Sequence, residues 1–159
     1  MLIWNIWSCL YLFIDIQSST EEIFDYHNKG CQNGYSQSCH TSGLMYMDKK
    51  FVGDKKNVEK SIEYFKMGCD QNHAESCAAL GEYYRKGLPN LPVDINKCLQ
   101  YHNKGCALNY LQSCINLGVM YKSGIGVEKN DEKARQYKDH AKKIYEIQYV
   151  SGKNLKMNQ

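Results

Sequence analysis

Residues Cys69 to Gly81 read CDQNHAESCAALG, and the chain carries this stretch three times. Cys31 to Gly43 reads CQNGYSQSCHTSG, and Cys106 to Gly118 reads CALNYLQSCINLG. Each copy has two cysteines separated by seven residues, a serine directly before the second (Ser38, Ser76, Ser113), and a glycine four residues after it. A tyrosine lies five residues before the first cysteine (Tyr26, Tyr64, Tyr101), and another lies three residues after the glycine (Tyr46, Tyr84, Tyr121). The copies are spaced 38 and then 37 residues apart. Self-similarity at this period predicts a repeat array, in which each unit buries its apolar face only against its neighbours.

The flanks of each copy predict two helices per unit. In the second unit Val58, Ile62, Phe65 and Cys69 fall on one helical face, with Asn57 as N-cap. Cys77, Leu80, Gly81 and Tyr84 fall on one face of its partner. In the third unit Asp94 caps a stripe of Ile95, Cys98, Leu99 and His102, and Ile115 to Lys122 supply the second helix. In the first unit Ser18, Ser19 and Thr20 offer caps for a helix to about Lys29, closed by Gly30-Cys31, and a second helix covers about Gln37 to Met47. Past Tyr121, Ala134 and Tyr137 come into register in a fourth first-helix, with Lys142 where a cysteine would stand. The expected fold is all-α: a right-handed α-solenoid of TPR-like helix-turn-helix repeats, about seven helices in antiparallel pairs. Its units are residues 18–52, 53–90 and 91–125, followed by a capping helix at 126–150 and a tail at 151–159.

Eight cysteines in 159 residues, six of them at repeat positions, behave as a disulfide framework. The first cysteine of each copy falls in the last turn of one helix and the second in the first turn of the next. A short turn brings such ends within the roughly 5.5 Å Cα separation of a disulfide. The expected pairs are Cys31–Cys39, Cys69–Cys77 and Cys106–Cys114, with Cys9 and Cys98 unpaired. Structural zinc is the competing reading, but it favours pairs two to four residues apart that converge on one ion; free thiols are the third. Stable disulfides require an oxidising compartment. Cys98 takes the position of Ser61 and Ala134, where side chains are small and helices approach closely.

Hydrophobic content of 43% and charge of 23% describe a globular chain. A net charge of +3 from scattered basic residues does not describe a nucleic-acid surface. Residues 1–17, opening MLIWNIWSCLYLFIDI, form an apolar stub. It has neither the basic n-region nor the small-residue cleavage site of a signal peptide, and it is short for a bilayer span, so no stable membrane insertion is expected. Ser8-Cys9 with Leu12 copies Ser76-Cys77 with Leu80, so the stub reads as the remnant of an earlier repeat, with a signal or membrane anchor and a non-native start as the alternatives.

His27 and His102 share the inner-stripe position of Phe65, whereas His40 and His73 lie near turns. No histidine pair has metalloprotease spacing, and neither a Ser-x-x-Lys nucleophile motif nor any other catalytic constellation is assigned. The expected site list is therefore free of catalytic, cofactor and metal residues; haem on His27 and His102 is the one cofactor alternative.

Leu117-Gly118-Val119-Met120-Tyr121-Lys122-Ser123-Gly124-Ile125-Gly126-Val127-Glu128-Lys129-Asn130, followed by Lys133-Ala134 and Tyr137, resembles the Sel-1-like repeat. The two-cysteine insertion is similar to the cysteine-rich branch of that family, which holds the Helicobacter cysteine-rich proteins and the cytochrome c oxidase assembly factor 7 family. Leu91-Pro92-Val93-Asp94 and the charged helix after Asp131 resemble the latter. That resemblance implies a mitochondrial intermembrane-space protein imported by the oxidative import machinery. It implies a non-enzymatic solenoid that binds protein clients in respiratory chain complex IV assembly. The bacterial branch implies a β-lactamase-like alternative, and the unpaired cysteines and inner histidines a thiol-redox or haem-handling one.

Overall fold

A computed structural model describes residues 20–48, 57–88 and 90–150. The apolar stub with Cys9, most of the loop at 49–56 and the tail at 151–159 lie outside the described residues. Seven α-helices form among the described residues: α1 (20–32), α2 (Ser36–Met45), α3 (Val58–Asp70), α4 (Ala74–Lys86), α5 (Ile95–Ala107), α6 (Leu111–Ser123) and α7 (Asp131–Tyr145), which continues into a π-turn at Glu146–Val150. No β-strand forms among them; one isolated bridge, Leu88 to Leu91, closes the proline-containing loop. The chain is an all-helical solenoid of antiparallel pairs, each stapled by a disulfide.

Three of the first helices start in the same way. Asn57, Asp94 and Asn130 are extended, and their side chains accept from the backbone N–H of Lys60, Lys97 and Lys133. The turns within pairs are also alike. Gly34, Asn72 and Asn109 take left-handed φ of 89°, 63° and 62°, the conformation that glycine and asparagine tolerate best. This turn sits three residues beyond each first cysteine, so α1 runs through Gly30 and Cys31 rather than closing there. The second helices start earlier than apolar periodicity implies, at Ser36 and Leu111, because Tyr35 and Tyr110 already carry the extended cap conformation.

Each described helix packs on the next, and contact between successive pairs is broader than contact within a pair. Ile62, Phe65, Cys69, Cys77 and Leu80 form one core cluster. Cys106, Cys114, Leu117, Ala141 and Ile144 form another, with Tyr84, Cys98 and Met120 between the two. Phe65, Leu80 and Leu117 are fully enclosed; each such side chain contributes about 1.5–3 kcal/mol over leaving it in water. Helix α7 buries only Ala134, Ala141 and Ile144. None of the described helices is long and apolar enough to cross a membrane.

Candidate functional site

The repeated cysteine module is a close helix crossing. Cα separations are 4.5 Å at Cys31–Cys39, 4.7 Å at Cys69–Cys77 and 4.8 Å at Cys106–Cys114. All six cysteines are buried. The residue before each first cysteine is a glycine, and it faces the serine before the second. A Cβ at Gly30, Gly68 or Gly105 would stand 2.6, 2.5 or 2.5 Å from the hydroxyl of Ser38, Ser76 or Ser113. In the sequence Gly30 reads as a helix terminator and Gly68 and Gly105 are not singled out, although the recurring Gly-Cys…Ser-Cys pattern is there to find their shared role.

A second module joins one pair to the next. The two repeat tyrosines stack across this junction: Tyr46 on Tyr64 at 5.3 Å, Tyr84 on Tyr101 at 5.7 Å, and Tyr121 on Tyr137 at 5.7 Å. Lys60, Lys97 and Lys133 lie over Tyr46, Tyr84 and Tyr121 at 5.3, 5.0 and 5.0 Å. Each such cation–π contact is worth about 0.5–1 kcal/mol at exposed positions. The recurring Lys-x-x-x-Tyr (Lys60-Tyr64, Lys97-Tyr101, Lys133-Tyr137) is its unused signature in the chain.

Beside the tyrosines, an aromatic ring fills the notch left by the mid-helix glycine of the first two junctions. Phe65 lies on Gly43, and His102 lies on Gly81. His102 is fully buried; its Nδ1 is 3.4 Å from Ser113 Oγ, and its Nε2 is 3.4 Å from Asn116 Nδ2 and 3.5 Å from Glu82 Oε1. Burial pushes its pKa below the usual imidazole value, with Glu82 opposing. Both ring nitrogens are thus engaged inside a closed contact, which does not suit a haem ligand. His27 is half-buried, with its Nδ1 enclosed and without a hydrogen-bond partner among the described residues. Cys98 is free and fully enclosed. Burial, reinforced by Glu82, pushes its thiol up to about 11, so it is a packing thiol and not a nucleophile.

At the third junction the notch is open. Lys138 stands where Phe65 and His102 stand in the earlier units, and nothing approaches a Cβ at Gly118 closer than Ala134 O at 3.5 Å. The result is a groove of about 660 Å³ between α6 and α7. Ile115 and Val119, 41% and 52% exposed, form its apolar wall, and Ala134, Arg135 and Lys138 form the other. Asp131 is held by Lys122 at 2.9 Å and Arg135 pairs with Glu132, whereas Lys138 has no ion-pair partner among the described residues. The groove is therefore apolar with a free positive charge at its rim.

In the two earlier units the following second helix packs onto this surface, although Leu44, at the position of Val119, stays 51% exposed. Helix α6 lies over the α4–α5 junction, where Asn116 donates to Glu82 Oε1 at 3.0 Å and Met120 packs beside Cys98. Helix α4 lies over the α2–α3 junction, where Ser76 Oγ is 3.2 Å from His40 Nδ1 and the Tyr83 ring meets Phe65 at 5.6 Å. Sequence reasoning did not single out Ile115, Val119 or Lys138, because an unfilled notch is visible only once Lys138 is aligned with Phe65 and His102.

A cluster of different chemistry lies between α2 and α4. The His40 and His73 rings are 4.8 Å apart, and His40 Nε2 is 3.7 Å from Glu75 Oε2. His73 Nδ1 accepts from the Ser76 backbone N–H at 3.2 Å, capping α4, and its Nε2 lies 2.9 Å from Gln37 Oε1. Burial lowers both imidazole pKa values, with the neighbouring ring adding to the effect at His40 and Glu75 opposing it at both.

The profile of the Sel1 repeat matches residues 38–73, 74–110 and 111–137, more than half of the chain. Each matched segment begins at a second helix and takes in the following first helix, a frame shifted by one helix from units 18–52, 53–90 and 91–125. No curated protein matches the chain in sequence. Among solved structures, a Sel1 repeat protein from Oxalobacter formigenes is similar with TM-score 0.68 and 22% identity, over 79% of this chain and 50% of that one. The c5321 protective antigen of uropathogenic Escherichia coli is similar with TM-score 0.67 and 24% identity, over 76% of this chain and 25% of that one. Cysteine rich protein B of Helicobacter pylori is similar with TM-score 0.60 and 26% identity, over 80% of this chain and 90% of that one. The chain thus spans half the length of the first of these proteins and a quarter of the second.

Proposed function

Because the chain belongs to the Sel1 repeat family, we propose that it is a non-enzymatic, protein-binding solenoid whose α6–α7 groove receives a helical segment of a client protein. The carrying observation is internal to the molecule. In both earlier units a ring fills the glycine notch and a following helix packs on it, and here Ile115, Val119 and the Gly118 notch are offered to a helix from elsewhere. The partner segment is amphipathic, with an apolar stripe for the groove and an acidic residue for Lys138, at the place where Asn116 meets His102 one unit earlier.

We further propose that the client belongs to respiratory chain complex IV assembly and that the protein works in the mitochondrial intermembrane space. Three buried disulfides call for an oxidising compartment, and the resemblance through Leu91-Pro92-Val93-Asp94 and the α7 helix supports this one. The buried, protonated thiol of Cys98 argues against thiol-redox chemistry. Submitochondrial fractionation with complex IV activity measured after depletion tests the assignment. Co-fractionation with intermembrane-space markers and loss of complex IV activity are expected; a secretory location, or unchanged activity on depletion, would overturn it.

A further inference from the structure

We propose that His40, His73 and Glu75 form a binding site for a late first-row divalent cation of the zinc or copper class, joining the second helices of successive repeats. One ligand atom from each of the three lies within 4.8 Å of the others. Two imidazoles and a carboxylate make a mixed nitrogen–oxygen donor set suited to such ions rather than to calcium or magnesium. The residues come from separate units: His40 from α2, His73 from the cap of α4 and Glu75 from its first turn.

The surroundings are those of a supported metal site. Ser76 Oγ lies 3.2 Å from His40 Nδ1 and 3.0 Å from His73 Nδ1, and Ser76 is itself fully buried. The hydroxyl can accept from Nδ1–H of His40, which presents His40 Nε2 as a ligand; His73 Nδ1 accepts from the Ser76 backbone N–H, so its proton sits on Nε2. Hydrogen bonding of the second ring nitrogen is the usual outer-shell support of a histidine ligand. His40 Nε2 already faces Glu75, and His73 Nε2 faces Gln37 Oε1, a further oxygen at the rim. Metal binding moves the His73 proton from Nε2 to Nδ1, so the bond to Gln37 and the cap bond from the Ser76 N–H are both given up for one to the Ser76 hydroxyl. Glu75 is exposed, which gives an ion access from solvent. The second Cys/His cluster, Cys106, Cys114 and His140, has both sulfurs in a disulfide and lacks thiolate donors.

Zinc titration of the chelator-treated, oxidised protein followed by calorimetry tests this. One equivalent of Zn²⁺ is expected to bind the wild type and to raise its melting temperature. His40→Gln and Glu75→Gln should each weaken binding about tenfold or more, whereas His140→Gln leaves it unchanged. Glu75→Gln alters an exposed side chain, so its effect is read on a folded protein even if His40→Gln destabilises. No zinc uptake by the wild type, binding that survives either ligand substitution, or binding lost in His140→Gln would overturn the site.

Discussion

Gly81 and Gly118 occupy the same place in successive units, and the structure predicts opposite outcomes for alanine at each. A Cβ at Gly81 would meet three atoms of the enclosed His102 ring at 2.8 to 2.9 Å. Overpacking of that kind costs about 1–3 kcal/mol. A Cβ at Gly118 meets nothing closer than 3.5 Å, an ordinary contact. Removing a mid-helix glycine should then stabilise by up to about 1 kcal/mol. Urea denaturation of the two oxidised variants distinguishes them by the sign of the shift. His102 also predicts a pH dependence. Its folded pKa lies below the ordinary 6.5 because burial disfavours the charged ring. Just below pH 6.5 the unfolded chain therefore binds a proton that the folded chain does not. The stability is complete above pH 6.5 and declines as pH falls through the folded value. His40 and His73 act in the same sense, so His102→Phe, which installs the side chain found at Phe65, should flatten part of the decline and not all of it. The repeat alignment made the shared position of Phe65 and His102 legible. It could not show that Ser76 gathers His40 and His73, because those residues are brought together by packing between units and not by spacing in the chain.

At the scale of helices, the staples set the geometry of each pair. Each disulfide closes a loop of sequence separation 8, for which restriction of the unfolded chain gives about 2.5 kcal/mol. Cys69→Ala with Cys77→Ala should cost at least that, since both side chains are fully buried in the central cluster; the midpoint of urea unfolding measures it. Cys98 should react with a thiol reagent only as the protein unfolds, since its sulfur is enclosed and protonated. Rapid labelling under native conditions would contradict the placement. The helix pairs were legible because two cysteines, a serine, a glycine and two tyrosines recur in fixed register. Helix ends were less so. Gly30 resembles a terminator, yet it lies inside α1 because Ser38 needs the space a Cβ would take. The stop comes at Gly34, and at Asn72 and Asn109 in the later units, where the left-handed turn is made.

For the molecule as a whole, stacking pairs with common modules leaves one junction unlike the others. The Tyr121–Tyr137 stack and Lys133 continue the ladder into α7, but Lys138 replaces the ring and opens the groove. The solenoid itself was legible from the 37-residue period; the groove was not, because it arises from a substitution inside an otherwise intact pattern. The partner binding proposed for this groove should therefore fail when the groove is altered while the fold and the disulfides remain. The most direct measurement is cytochrome c oxidase activity in cells depleted of this protein and supplied with either the wild type or Lys138→Glu. The substitution reverses an exposed charge and leaves the core clusters intact, which unchanged thermal stability would verify. Activity restored by the wild type and not by Lys138→Glu is the predicted result; full restoration by Lys138→Glu, or no deficit on depletion, would contradict it.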